Sequence, residues 1–254
     1  MAKMKAIVIG ATSGLGRGIA ERLATQGWQV GIAGRRLKRL DQIASAHGEA
    51  ITTSVIDGTR EDATSGLDSI IERMGFPDLV VYASGIGWQN PELKVEMELD
   101  MVRTNCEGMI RIVDHMFNRM RSYVRSGEAS PNRRLHIAVI TSVAGTNGIG
   151  TAPAYSATKR MQSTYITALA QLARMEHLPI DFTDIRPGFV ATEILNPERH
   201  YPMVMSVNRA VDHIMRGLKR RRRIVTFDYR FRLIVALWRL IPRAIWERLT
   251  FIRN

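Results

Sequence analysis

Seven short apolar runs alternate with longer segments of helical periodicity along the 254 residues of this chain. Several of the runs are continuous in Val, Ile and Ala, which is typical of parallel strands buried on both faces. Parallel neighbours must be joined by crossover helices, so the pattern predicts a single, doubly wound α/β domain with a seven-stranded, mostly parallel sheet. The expected strands lie near residues 4–10, 29–33, 50–56, 78–84, 135–141, 180–185 and 223–227.

The positive charge is concentrated at the C-terminal end of the chain. The net charge is +12, and the segment from Arg216 to Asn254 holds 12 Lys or Arg and 2 Asp or Glu. The rest of the chain is therefore nearly neutral, which gives no support to nucleic-acid binding by the domain. We expect the main domain to span residues 1–228, with residues 229–254 as a basic amphipathic helical extension of it.

The cysteine content and the lengths of the apolar runs indicate the cellular compartment. Cys106 is the only cysteine, which excludes a disulfide within the chain and fits a reducing environment. We see no secretion signal and no apolar run of the roughly 20 residues that a membrane span needs. A cytoplasmic protein is expected, with peripheral membrane contact left open. The six histidines and single cysteine show no metal-ligand spacing, so we expect no metal site.

A glycine-rich turn follows the first strand, with Gly10, Gly14 and Gly16 in the spacing G-x-x-x-G-x-G. Glycines in such a turn let the backbone approach a pyrophosphate, which then sits at the N-terminus of the next helix. We therefore predict a Rossmann-type dinucleotide site; a glycine turn without a ligand is the alternative. Its residues would be Gly10, Thr12, Ser13, Gly14, Leu15 and Gly16.

The end of the second strand indicates which dinucleotide is bound. An acidic residue there usually holds the ribose 2′-hydroxyl of NAD, whereas an arginine accommodates the 2′-phosphate of NADP. This chain has Gly34-Arg35-Arg36 and no acid. A guanidinium suits a phosphate, so we predict NADP, with Arg35 preferred over Arg36. The alternative is that both are solvated residues opening the next helix.

The third and fourth strands end in further candidate cofactor residues. Asp57 and Gly58 follow the third strand, where the carboxylate could accept from an adenine amino group or cap the next helix. The fourth strand ends in Ala83, Ser84 and Gly85, and the glycine would let the backbone approach the cofactor.

Three residues form a candidate catalytic group. Tyr155 and Lys159 are four residues apart in a helix-like segment, so their side chains share one face. A nearby ammonium favours the phenolate and lowers the pKa of a tyrosine, which could then exchange a proton with a carbonyl or alcohol oxygen. Ser142 ends a strand and could hold that oxygen beside the phenol, or simply cap its own turn.

The order and spacing of the glycine turn, Asn105, Ser142, Tyr155 and Lys159 resemble the short-chain dehydrogenase/reductase family over residues 4–227. The resemblance implies that Asn105 kinks its helix and holds a water in a proton relay through Lys159. It also implies that the segment holding Pro187, Gly188, Val190 and Thr192 binds the nicotinamide carboxamide. Tyr155 and Lys159 would contact the cofactor as well.

The chain departs from the family pattern at two places. Ile9 stands where a threonine is usual before the first glycine, and Tyr82-Ala83-Ser84-Gly85 stands where the family has Asn-Asn-Ala-Gly. No proposed catalytic group is lost by these changes. The expected reaction is hydride transfer between NADPH and a carbonyl or alcohol, with Tyr155 as general acid or base.

Two other functions stay open. A 3-oxoacyl thioester reductase would use the basic tail to dock an acyl carrier protein or a CoA thioester. A non-catalytic NADP-binding regulator or membrane-associated scaffold would no longer turn over, against which the intact Ser142, Tyr155 and Lys159 argue. The substrate itself is expected to be shaped by segment 193–222, where Met203 and Met205 hint at a lipophilic compound.

Three hypotheses stay open for the tail, residues 229–254. It could pack on the domain and cover the substrate cleft or a partner in a homodimer or homotetramer, with the dimer favoured. It could lie on anionic lipid, because Arg232, Arg239 and Arg243 share one helical face. It could also bind an acidic ligand. The apolar stripe expected opposite the arginines comprises Phe231, Ile234, Trp238, Ile241 and Ile245.

Overall fold

The computed structural model of the protein describes residues 3–196, 198, 200–227 and 229–250. Seven strands form one sheet in the order β3-β2-β1-β4-β5-β6-β7, and every pairing is parallel. The predicted doubly wound sheet is confirmed, and each strand falls within a predicted run or one residue beyond it. The strands are β1 (Lys5–Ile9), β2 (Gln29–Gly34), β3 (Ile51–Val55), β4 (Leu79–Tyr82), β5 (Leu135–Ile140), β6 (Ile180–Ile185) and β7 (Ile224–Val225).

Helices cover both faces of this sheet. One face carries α1 (Gly14–Thr25), α2 (Leu37–His47) and α7 (Val207–Lys219), whose apolar sides join a common buried cluster. The other face carries α3 (Ala63–Met74), α5 (Gly108–Arg125) and α6 (Pro153–Met175), which share a second cluster. The central strands β1 and β4 therefore send alternate side chains into two cores, and this explains why their sequences are almost continuously apolar.

The helical segment that leads into α5 is interrupted. The helix α4 (Val95–Val102) passes into a π-helical turn, Arg103–Glu107, and then directly into α5. Asn105 lies in the middle of this turn and is fully buried. A π-helical turn is a frequent local distortion at functional sites. The kink that the family resemblance implied at Asn105 is therefore present.

The C-terminal segment forms two short helices, α8 (Tyr229–Leu240) and α9 (Arg243–Trp246). Among the helices that the structure describes, none combines the length and apolar character needed to cross a bilayer. A hydrogen bond fixes α8 to the domain: Asn147 Nδ2 donates to the Trp238 backbone carbonyl at 3.1 Å. Trp246 Nε1 likewise donates to the Gly148 carbonyl at 2.7 Å.

The prediction that one apolar stripe runs along the whole tail was wrong. Phe231 is buried, but Ile245 is 51% exposed. The chain leaves the helix at Leu240, before Pro242, so the stripe does not continue along one axis. Of the arginines expected to share a helical face, Arg239 and Arg243 lie in two separate helices, and the side chain of Arg232 lies outside the described part of the chain.

Candidate active site

A cleft of about 770 Å³ opens where the strands end. Ligands bind at this edge in open α/β sheets because the loops there converge at the point where strand order reverses. The sequence-predicted cofactor residues come from six separate segments of the chain, yet all of them line this cleft. They are Gly10, Thr12, Ser13, Gly14, Leu15, Gly16, Arg35, Arg36, Asp57, Gly58, Ala83, Ser84, Gly85, Tyr155, Lys159, Pro187, Gly188, Val190 and Thr192.

The glycine turn has a backbone that a dinucleotide can approach. Gly10 has φ +83°, and a Cβ atom there would lie 2.5 Å from the backbone nitrogen of Ser84. Only glycine fits this position without strain. The N-cap of α1, Ser13, makes no side-chain capping bond, and the first turn holds no acidic residue. The helix N-terminus can therefore offer its N–H groups to an anion, as a pyrophosphate would require.

Arg36, and not the preferred Arg35, makes side-chain contacts across the glycine turn. Its Nη2 atom donates to the Thr12 and Ser13 hydroxyls at 2.7 Å each, so it lies across the glycine turn. Arg36 also pairs at 3.0 Å with Glu193, which Arg39 contacts at 2.6 Å. Arg35 is exposed and lines the cleft too. Arg36 is itself 43% exposed and stands at the N-cap of α2, so the role of either arginine in holding a phosphate stays a prediction.

The ends of β3 and β4 are braced by side chains of their own. Asp57 Oδ1 accepts from the backbone N–H of Thr59 at 3.1 Å and from its hydroxyl at 2.8 Å, so it caps its own turn while lining the cleft. Tyr82, which replaces an asparagine of the family pattern, donates to the Thr104 carbonyl at 3.3 Å. Burial raises the pKa of this phenol, so the group stays a neutral donor.

Tyr155 and Ser142 meet within the cleft. Tyr155 lies in the first turn of α6, which opens with Pro153 at a position where a missing N–H costs nothing. Burial raises the pKa of Tyr155, and a hydrogen bond with Ser142 opposes that rise. Ser142 Oγ also accepts from the N–H of Ala144 at 3.1 Å. Ser142 therefore caps its own turn and also contacts the phenol, whereas its role in holding a substrate oxygen stays a prediction.

Lys159 is buried and only 4% exposed. Its Nζ atom donates to the Ile140 carbonyl at 3.2 Å and lies 5.9 Å from the centroid of the Tyr155 ring. Burial lowers the pKa of Lys159 to about 8, against the opposing charges of Cys106 and Asp184. The pKa of Tyr155 is raised here because burial is the largest influence on it, and the lowering expected from Lys159 stays a prediction.

Asn105 braces the backbone next to this site. Its Oδ1 atom accepts from the Ile86 N–H at 2.9 Å, and its Nδ2 atom donates to the Ile86 carbonyl at 2.8 Å. A further bond of 3.1 Å joins Nδ2 to the Thr158 hydroxyl. The side chain thus locks the π-helical turn against the loop after β4 and against α6. The relay role that the resemblance implied for Asn105 stays a prediction.

Gln162 is a site residue that the sequence analysis missed. It is fully buried, and its Oε1 atom accepts from Lys159 Nζ at 3.1 Å. Its Nε2 atom donates to the Asn105 carbonyl at 2.7 Å. Gln162 therefore bridges Lys159 and Asn105 directly. The available signal was spacing, because Gln162 lies seven residues after Tyr155 and three after Lys159, on the same helical face.

Aromatic and aliphatic side chains form the remaining walls of the cleft. Phe231 and Trp238 of α8 reach into it, and a Cβ atom on Gly188 would lie 2.5 Å from the Phe231 ring. The two methionines that hinted at a lipophilic substrate are packed elsewhere, Met203 against the Phe231 cluster and Met205 against the sheet core. The apolar wall residues comprise Trp88, Met97, Ile149, Phe189, Ile194, Leu195, Tyr201, Phe231 and Trp238.

Sequence comparison places this arrangement among known proteins. Residues 4–202 match the model of the short chain dehydrogenase family. An uncharacterized oxidoreductase of Myxococcus xanthus is 29% identical over 255 residues, which cover 97% of this chain and 96% of that protein. The match therefore extends through the C-terminal helices.

Two solved structures share the fold. The actinorhodin polyketide ketoreductase with NADPH has a TM-score of 0.71 at 23% identity, covering 84% of this chain and 89% of that one. The 3-ketoacyl-(acyl-carrier-protein) reductase from Brucella melitensis complexed with NADH has a TM-score of 0.78 at 19% identity, covering 89% and 96%. The family match over most of its length, joined to this cleft, identifies the chain as a member of the short-chain dehydrogenase/reductase family of oxidoreductases.

Proposed function

We propose that this protein reduces a lipophilic carbonyl compound with NADPH, using Tyr155 as the proton donor. The observation that carries the proposal is the meeting of Tyr155, Ser142 and Lys159 in the same cleft as the glycine turn. The residues fit a dinucleotide, because the turn excludes side chains and an arginine lies across it. When bound, the cofactor would supply a hydride to the carbonyl carbon.

The protein would supply the proton that the carbonyl oxygen accepts when the carbonyl carbon accepts the hydride. Because burial raises the pKa of Tyr155, the phenol is protonated at neutral pH and can donate to the carbonyl oxygen. Ser142 is placed to bond the same oxygen and hold it beside the phenol. The Lys159 ammonium would then stabilise the phenolate that remains, through a buried and weakly screened interaction.

The cofactor preference can be tested at Arg36. A charge-assisted bond to the 2′-phosphate contributes about 1.5–3 kcal/mol, so we expect Arg36→Ala to raise the Kd for NADPH about 10- to 100-fold. The Kd for NADH, which lacks this phosphate, should change less than about threefold. Glu193→Gln should tighten NADPH binding, because the Glu193 carboxylate pairs with Arg36 where the phosphate would bind.

Nicotinamide fluorescence titration measures both constants. Exposed Lys38, two residues after Arg36 in the first turn of α2, provides the matched control, and Lys38→Ala should leave both constants unchanged. Arg35→Ala separates the two arginines. If Arg36→Ala weakens NADPH and NADH equally, the residue supports the turn and does not read the phosphate.

Gln162 should set the pH range of the reaction. We expect the rate of reduction to fall as the pH rises through about 8, where Lys159 loses its proton. Gln162→Glu places a carboxylate beside the ammonium and favours its charged form, so the fall should move to higher pH by about one unit or more. Gln162→Leu removes an acceptor and should move it to lower pH.

The pH dependence of kcat decides this role. Gln42 is exposed on α2, so Gln42→Glu adds the same charge away from the site and should leave the profile unchanged. Three superimposable profiles, differing only in height, would mean that Gln162 acts on the fold alone and does not tune Lys159.

The substrate class follows from the apolar cleft walls, including Trp238 of α8. We would follow NADPH absorbance with straight-chain ketones and aldehydes of increasing length and with acetoacetyl-CoA. KM should fall as the alkyl chain lengthens, and Tyr155→Phe should abolish the signal. Turnover of the thioester alone would favour the 3-oxoacyl reductase alternative, which the basic tail supports. NADPH binding without turnover of any compound would favour a regulator.

We propose that the protein is a homodimer that pairs through α4. The exposed face of this helix carries Val95, Leu99 and Val102, with exposures of 60%, 45% and 43%. Their spacing of four and three residues places them in one stripe, of the kind that often marks a protein interface. Leu99→Gln should lower the molecular mass found by sedimentation; an unchanged mass would place the interface elsewhere.

A further inference from the structure

The helix α8 is apolar on two opposite sides. Its inner side contributes Phe231 and Val235, which are 6% and 7% exposed and pack with Val143. Its outer side carries Leu233, Leu237 and Leu240, which are 62%, 53% and 78% exposed. These leucines are spaced by four and three residues, so they form one stripe along the helix. We call this stripe the outer leucine face.

The outer leucine face is held in place by the domain. The Trp238 carbonyl accepts from Asn147, and the Trp246 indole donates to the Gly148 carbonyl, so both C-terminal helices are fixed to the same loop. Single exposed leucines are ordinary in soluble proteins. Three of them aligned on one anchored helix form a continuous apolar surface, which is typical of an interaction site.

Positive charge flanks the outer leucine face. At helical spacing Arg230 falls beside the stripe, whereas Arg239 falls on the other flank of the helix, toward Val235, and both residues are exposed. Arg243 follows at the start of α9, with a side chain that is 90% exposed. Among residues 229–250 the sequence holds five arginines and one acid, Glu247. A leucine stripe bordered by arginines matches the apolar interior and anionic headgroups of a membrane surface.

We propose that the outer leucine face lies in the interface of an anionic lipid bilayer, parallel to the membrane plane. The opposite side of the same helix sends Phe231 and Trp238 into the cleft. One helix thus contacts the bilayer and forms a wall of the cleft, so the substrate would be a carbonyl compound dissolved in lipid. This last step rests on the proposed function, whereas the membrane contact does not.

Charge argues against a second copy as the occupant. A two-fold symmetric contact through this face would bring the arginines of one copy near those of the other, and like charges repel. The exposed stripe on α4 differs in charge. The acidic Glu96 and Glu98 lie in its first turn and the basic Arg103 follows its last, so an antiparallel two-fold contact there can bring opposite charges together.

Vesicle sedimentation of the full chain tests this contact. We would compare vesicles of phosphatidylcholine with vesicles that also contain phosphatidylglycerol. The anionic vesicles should bind at least about tenfold more protein, and raised salt should reduce the binding because it screens surface charge. Leu237→Gln/Leu240→Gln should lower binding to the anionic vesicles about tenfold or more. Arg239→Gln should lower it about fivefold, the equivalent of about 1 kcal/mol per arginine.

The control variant carries two equally exposed but scattered apolar residues. Val55→Gln/Met175→Gln replaces side chains that are 53% and 71% exposed, against 53% and 78% for the leucine pair, and should bind vesicles like the wild type. Circular dichroism checks that each variant folds, and an NADPH titration tests the proposed function separately. Equal binding to both vesicle types, or a leucine variant that binds like the wild type, would overturn the proposal. So would a fall in the mass of the lipid-free protein caused by the leucine variant alone, which would assign the face to a second copy.

Discussion

Tyr155→Phe should reduce turnover with NADPH by about three orders of magnitude while leaving the Kd for NADPH within about twofold of the wild-type value. Proton transfer by a positioned side chain contributes about 10²- to 10⁴-fold to a rate. The substitution removes only the phenolic oxygen, so the ring keeps its packing against Ala144, Ile149 and Ala152. Water is a poor replacement donor because the phenol lies in a site where burial governs its pKa.

A second tyrosine of α6 provides the matched control. The Tyr165 hydroxyl donates to Asp114 at 2.7 Å and does not line the cleft. Tyr165→Phe should therefore leave turnover unchanged, although it removes the same atom from the same helix. Wild-type turnover by Tyr155→Phe would refute the assignment of the proton donor, whereas loss of NADPH binding would mean that the tyrosine mainly shapes the cofactor site.

Asp184→Ala should lower the free energy of unfolding by about 3–5 kcal/mol. The Asp184 carboxylate is fully buried and pairs with Arg186 at 2.6 Å, where both side chains are largely shielded from water. It also accepts from the Thr141 and Ser163 hydroxyls at 2.6 Å each. Removing one partner of a buried ion pair leaves an uncompensated charge, which accounts for a loss of this size.

Denaturant unfolding measures this loss, and Asp62→Ala is its control. Asp62 pairs with Arg60 at the surface, with side chains that are 66% and 68% exposed, and such pairs contribute at most about 1 kcal/mol. Asp184 also raises the pKa of Lys159, so the variant should lose activity at a lower pH than the wild type. A small, equal loss of stability in both variants would show that the Asp184 network is not important for the fold.

The fold could be predicted because its signals are local. The continuous apolar runs identified the strands, since parallel strands are buried on both faces. Gly10, Ser142 and Tyr155 could be assigned because turn chemistry and helical spacing are visible in the sequence. Their order along the chain also matched the family. Each of these residues lines the observed cleft.

The remaining site residues depend on tertiary contacts that no local pattern encodes. The spacing of Gln162 places it on the face of Tyr155 and Lys159, but its bond to the Asn105 carbonyl depends on the packing of the π-helical turn against α6, which the sequence of α6 does not show. The contact between Arg36 and Glu193 joins segments 157 residues apart. The prediction of the apolar stripe in the tail failed for another reason. Both sides of α8 are apolar, so periodicity alone could not show that Phe231 faces the domain and Leu237 faces outward.

The most direct test of the account is a fluorescence titration of the purified protein with NADPH and with NADH, repeated for Arg36→Ala. The account predicts tight NADPH binding, NADH binding at least about tenfold weaker, and loss of this difference in the variant. Equal affinity for the two cofactors would remove the assigned phosphate site. Failure to bind either cofactor would contradict the proposal that the cleft is a working oxidoreductase site.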